Sequence, residues 1–166
     1  MDAELKVGFV YRTRHYKADG TLVSEEVTKN LVPLPGINYI LNAAMQGATQ
    51  SSSWYIGLFS GNYTPTNNVD LATLVSTGVE YTGYNEASRP VFTSPNSTTG
   101  TLTNTASLAR FTAGTGVTLY GGFVCNNATK GNGSGLAISA VRFASPKVLD
   151  ATDYVDVEAS LTLTSL

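Results

Sequence analysis

From Val155 to Thr164 the chain alternates without a break. Val155, Val157, Ala159, Leu161 and Leu163 are apolar, and Asp156, Glu158, Ser160, Thr162 and Thr164 between them are polar. A period of two places these two sets on opposite faces of an extended backbone, so the segment predicts a strand with one dry and one wet face. That alternation belongs to antiparallel sheets, because parallel sheets are buried on both faces.

The rest of the chain reads the same way. Leu5, Val7, Phe9 and Tyr11 alternate with less apolar neighbours, Asp19-Gly20 marks a tight turn, and Thr21 to Val32 returns, giving an N-terminal hairpin over about residues 4–32. Pro33-Leu-Pro35-Gly36 ends it. Ile37, Ile40, Leu41, Ala44 and Met45 then follow one helical face, which predicts a helix over about residues 36–46 closed by Gly47 and plugging one open side of a sheet. Trp54 to Phe59 is apolar at successive positions and predicts a central strand covered above and below. Asn68 is positioned to cap a brief helix holding Leu71, Leu74 and Val75. Pro90 to Thr93 reads as strand, and the Ser/Thr-rich segment Ser94 to Asn104 as an exposed loop or edge hairpin. Ala106 to Thr112, Val117 to Cys125, Gly135 to Ala144 and Asp153 to Leu163 are strands within about residues 105–164, and a change of apolar phase between Ala140 and Val141 predicts a bulge. With no strand–helix alternation and no linker, the expected fold is mainly β: an antiparallel β-sandwich or jelly-roll-like single domain over residues 1–166 with one or two short helices.

Composition narrows the function. Hydrophobic residues make up 42% and charged residues 13% of the 166, which is a folded rather than a disordered composition. A formal net charge of −2 supplies no positive field for phosphate backbones, so no nucleic-acid partner is expected, and Lys6, Arg12, Arg14, His15 and Lys17 read as a solvated strand face. One cysteine, Cys125, lies in an apolar run and reads as a small buried hydrophobe. The start lacks an apolar core of signal-peptide length and no stretch approaches roughly 18 apolar residues, so synthesis in the cytoplasm with no membrane span is expected. The Asn-x-Ser/Thr matches at Asn62, Asn96, Asn127 and Asn132 then arise by chance.

Catalytic constellations are thin. His15 is the one imidazole and is expected at the surface; Asp156 and Glu158 alternate with core residues as a wet strand face; Asp150 and Asp153 read as a turn. No His or Cys pair has zinc-ligand spacing, and the G-x-G fragments at Gly114 and Gly131 lack a complete fingerprint. No enzyme, metal or cofactor is therefore expected. Trp54, Tyr55, Tyr63, Tyr81 and Tyr84 are divided evenly between core filling and exposed stacking.

The order Lys29-Asn-Leu-Val32, Gly36-Ile-Asn-Tyr-Ile-Leu-Asn-Ala-Ala44, Trp54-Tyr-Ile-Gly-Leu-Phe59, Tyr63-Thr-Pro65, Leu71-Ala-Thr-Leu74 and Tyr84-Asn-Glu-Ala-Ser-Arg-Pro-Val-Phe-Thr93 resembles small structural proteins of tailed bacteriophages, of the capsid decoration (cement) or short-fibre kind. The resemblance covers residues 29–93 as a pattern and does not extend to the C-terminal half. It implies a virion component that binds major capsid subunits as a homo-oligomer, dimer or trimer, without catalysis. The alternative is a tail or head-fibre domain that binds host surface glycan. Arg12, Arg14, Tyr16 and Glu25 on the hairpin, with Tyr63 and Tyr84 from the aromatic segment, are the candidate partner contacts, and the loops 61–68 and 94–104 the candidate contact loops. If Arg89 is buried beside Glu86, that pair is expected to hold the loop before Pro90.

Overall fold

The structure, a computed structural model, describes residues 5–165. Ten elements follow in order: β1 (Leu5–Tyr16), β2 (Leu22–Lys29), α1 (Leu34–Met45), β3 (Tyr55–Phe59), α2 (Leu71–Ser76), β4 (Thr101–Thr103), β5 (Ala109–Thr112), β6 (Val117–Cys125), β7 (Ala137–Leu149) and β8 (Tyr154–Ser165). All strand pairing is antiparallel, in a five-stranded sheet ordered β2-β1-β8 with β4 and β5 side by side along the far edge of β8, and a three-stranded sheet ordered β3-β6-β7. The architecture is mainly β and sandwich-like.

The alternation in β8 is realised in its parity, although Asp156, expected on a solvated face, is only 6% exposed beneath its two bonds from Arg110. Val155, Val157, Ala159 and Leu161 are buried against the smaller sheet, with Phe9 and Tyr11 of β1 and Phe111 of β5. The hairpin turn also forms where Asp19-Gly20 places it: Gly20 adopts φ +86, and the Asp19 carboxylate accepts the Thr21 amide at 2.9 Å. The return strand stops at Lys29 rather than Val32, because Leu31 leaves β1 and exchanges two backbone hydrogen bonds with Ala140 of β7. Beside this crossing, the Asn30 side chain accepts the Phe9 amide and donates to Ser139, which also meets the Tyr11 hydroxyl at 2.7 Å. The two sheets are thus tied at one corner by backbone and side chain together.

The smaller sheet is covered twice, which accounts for several departures from the sequence reading. One face meets the larger sheet; the other holds Phe59, Phe123, Cys125, Ala137 and Ala140 under Val69, Leu71 and Leu74. β3 is consequently buried on both faces, yet it lies at the sheet edge, and its far side meets no strand among the described residues but isolated bridges to Glu80 and Val91 with their flanking backbone bonds. Pro90–Thr93 contributes such a bridge and no strand. In β7 the predicted bulge sits at Ile138, since Cys125 faces Ala137 while Val124 faces Ser139. Ala140 and Val141 simply occupy opposite buried faces, so consecutive apolar residues there carry no signal of a bulge. A second irregularity loops out residues 143–146, between the Gly121–Arg142 and Leu119–Lys147 pairs. The α2 cap is Asp70 rather than Asn68; its carboxylate accepts the Thr73 amide at 2.8 Å.

Helix α1 departs most from expectation. Only Gly36 is fully buried, set so close to Ile138 that a β-carbon would come within 2.9 Å of its carbonyl oxygen. Ile37, Tyr39 and Ile40 rest on the core, but Leu41 is 52% and Met45 75% exposed. The helix leans on the sandwich by its first turn and a half and leaves the rest of its apolar stripe in solvent.

Candidate interaction surface

Because Phe9, Tyr11, Thr13 and His15 point inward, Arg12, Arg14 and Tyr16 must point outward, and the register sets their neighbours. Arg12 lies opposite Glu158, Arg14 opposite Asp156 and Glu25, Tyr16 opposite Tyr154, and Arg110 of β5 opposite Asp156. Four of the six candidate contacts, Arg12, Arg14, Tyr16 and Glu25, therefore converge on the outer face of the larger sheet.

The charges on that face are organised. The Glu25 carboxylate accepts from Arg12 at 3.3 Å and from Arg14 at 3.2 Å, and Glu158 lies 3.9 and 3.8 Å from the same two arginines. Arg110 donates two bonds of 2.8 Å to Asp156 and spreads its guanidinium 4.1 Å from the centre of the Tyr154 ring. Tyr16 stacks on that ring at 4.9 Å. Tyr154 is thereby enclosed between an aromatic and a cation, an arrangement that fixes Arg110 in place. Farther along, Thr101 meets Thr162 at 3.1 Å, Thr103 meets Ser160 at 2.9 Å, and Thr105 donates to Glu158 at 2.8 Å. The face is hydroxyl-rich and charge-paired, with three arginines offsetting three carboxylates.

The other two candidates lie elsewhere. Tyr84 is 4% exposed and packs edge-on against Phe111 at 5.0 Å, with the Lys130 ammonium 3.8 Å from its ring centre, so its ring is core and is corrected from contact to packing. Burial also pushes its phenol pKa up. Tyr63 is half-buried, its ring edge-on to Phe59 at 6.3 Å and its carbonyl accepting from Arg142 at 3.0 Å. Tyr81 is buried as well, and Trp54 and Tyr55 are half-buried. The aromatic cluster is mainly core.

Of two buried polar clusters, one escaped the sequence reading and the other was expected with a different partner. His15 is 3% exposed rather than at the surface; its Nε2 lies 3.2 Å from Asp153, which also accepts from Lys17 at 3.0 Å and from the Asp150 amide at 3.0 Å. Burial works to raise the Asp153 pKa, but the bonds from Lys17, the Asp150 amide and His15 outweigh it and hold the carboxyl at about 2. Arg89, fully buried, donates two bonds of 2.7 Å to Glu80 and others to the carbonyls of Asn127 and Asn132. Its partner is Glu80, not Glu86, whose carboxylate instead accepts the amide and hydroxyl of Thr112. Cys125, 3.5 Å from Arg89, is buried and its thiol pKa is raised chiefly by that burial, so it is held as the neutral thiol. The signal for these clusters was weak: an inward-facing parity for His15, and for Arg89 a nearby carboxylate, Glu86, that is not its partner.

An apolar groove of about 560 Å³ runs beside α1, lined by Val7, Ile37, Ile40, Leu41 and Leu163 with Lys6 at its rim. Among the described residues no group of His, Cys, Asp and Glu converges as a metal site, and no helix is long and apolar enough to cross a membrane. No protein-family model matches the chain, and no curated protein matches it.

Proposed function

We propose that this chain is a non-enzymatic virion component, a capsid decoration protein that binds major capsid subunits through the outer face of its five-stranded sheet. The observation that carries the reading is the convergence of Arg12, Arg14, Arg110, Glu25, Asp156 and Glu158 with the Tyr16–Tyr154 stack on one sheet face. Mutually offset charges give a polyanion no counterion-release drive, whereas an alternating pattern selects a protein partner with the complementary pattern. Tyrosine and arginine are also the residue types that dominate protein interfaces. Repetition over a lattice multiplies modest contacts into a large total. The glycan-binding alternative loses support, because Tyr84 and Tyr81 are buried and Tyr154 is enclosed on both ring faces. Co-sedimentation of the purified protein with undecorated capsids of its cognate phage tests the proposal. Saturable pelleting at a fixed ratio to the capsid subunit is expected; protein that stays in the supernatant at every concentration overturns it.

A further inference from the structure

We infer that β2 is a self-pairing edge: two copies of the chain join antiparallel along it, about a two-fold axis at Val27, into one continuous sheet. β2 bonds to β1 on one side, and no strand pairs with its other side among the described residues. The register and the Asn30 amide bond to the Phe9 carbonyl fix which backbone groups are used. Ser24, Glu26, Thr28 and Asn30 turn their amides and carbonyls to β1, so Glu25, Val27 and Lys29 turn theirs outward. The strand is clamped in this orientation from within, because the Glu26 carboxylate accepts the amides of Ala144 and Ser145 and the Lys147 ammonium.

An edge of this kind is normally blunted by a proline, a bulge, a charged side chain on the edge or an inward-pointing charge. The inward-pointing Glu26 of β2 is neutralised within the chain by Lys147, and its edge charges, Glu25 and Lys29, are of opposite sign. β2 has no proline, its one irregularity lies at its start opposite Tyr16, and Leu22, Val23 and Val27 are about half exposed. Charge selects both the occupant and the register. With the axis at Val27, Glu25 of each copy meets Lys29 of the other across the same sheet face, and Val27 meets Val27 between them. Moving the axis to Glu25 sets two carboxylates opposite each other, and moving it to Lys29 sets two ammoniums opposite each other. Lys29 is exposed and makes no ion pair within the chain among the described residues, so its charge is free for a second copy. Backbone geometry also admits axes at Glu26 and Thr28, through non-hydrogen-bonded pairs, but these set Glu25 or Lys29 opposite Val27, and the Val27 axis alone sets Glu25 opposite Lys29. This interface goes beyond the decoration reading, because it forms in solution without a capsid.

Sedimentation of the full chain across a concentration range decides the matter. Twice the 17.5 kDa chain mass is expected for the parent protein. K29E turns both cross-copy pairs repulsive and raises the dimer dissociation constant roughly ten- to hundredfold, and E25K does the same. An equimolar mixture of the two variants restores attraction at both pairs and recovers the dimer. V27P removes the central outward amide without touching the β1 ladder and is expected to be a folded monomer by circular dichroism; it decides the question if E25K, which sits beside Arg12 and Arg14, fails to fold. A parent protein that is monomeric or trimeric throughout, a K29E dimer as tight as the parent's, or a dimeric V27P overturns the inference. A monomeric K29E that still pellets with capsids leaves the decoration proposal standing, and a parent dimer that never pellets does the reverse.

Discussion

Two sets of arginine–carboxylate pairs do different work in this protein. Glu80 and Arg89 meet in the interior at 2.7 Å with both side chains sealed from solvent, whereas Arg12, Arg14, Glu25 and Glu158 meet at 3.2 to 3.9 Å on an open sheet face. An interior pair holds its geometry because either charge alone would be stranded away from water. The exposed set gains little, since water and salt screen it and long side chains lose entropy in holding one arrangement. The interior pair locks the segment between α2 and β5 onto the smaller sheet. The exposed set is free to exchange its partners for those of another protein at small cost to the fold.

That contrast can be broken most severely from inside. Arg89→Ala leaves the Glu80 carboxylate buried beside the carbonyls that Arg89 now satisfies, and should lower stability by about 3–5 kcal/mol. Thermal unfolding should show this as a fall in Tm of about 6–20 °C. Adding Glu80→Gln to Arg89→Ala should recover part of the loss, because the stranded charge is then gone; a double-mutant cycle with no coupling would contradict the assignment. The His15–Lys17–Asp153 cluster should give an intermediate effect that depends on pH. Asp153 titrates near 2 in the folded state and near 3.9 in an unfolded chain, so its contribution is fully present above the higher value and disappears as pH falls through the lower one. Acid unfolding should accordingly be shallower for Asp153→Asn than for the parent between about pH 4 and 2. The smallest change belongs to the open face: Arg12→Ala should shift stability by less than about 1 kcal/mol, with the remaining shift reduced by added salt.

Regions governed by local pattern were legible in the sequence. The period of two in β8, the Asp19-Gly20 turn and the extent of β6 follow from properties of neighbouring residues, and the structure places them where that pattern puts them. The position of β3 was not legible, because burial on both faces by a second layer looks the same as burial in a sheet centre. Helix α1 has an apolar stripe that predicts burial, yet the close contact of Gly36 with Ile138 seats only its first turns. At the candidate surface, the outward parity of β1 brought Arg12, Arg14 and Tyr16 together, but their meeting with Glu158, Asp156 and Arg110 depends on long-range register. Tyr84 was misplaced for a related reason: aromatic composition carries no parity, and Phe111, which covers it, lies on a strand remote in sequence.

The most direct test of the contrast between interior and face is capsid pelleting of the Arg12→Ala/Arg14→Ala variant, with its Tm measured on the same preparation. If the outer face is the docking surface, Tm stays within a few degrees of the parent's while capsid affinity falls at least about tenfold, as expected on losing two central arginines. Undiminished pelleting by a folded variant would contradict the account.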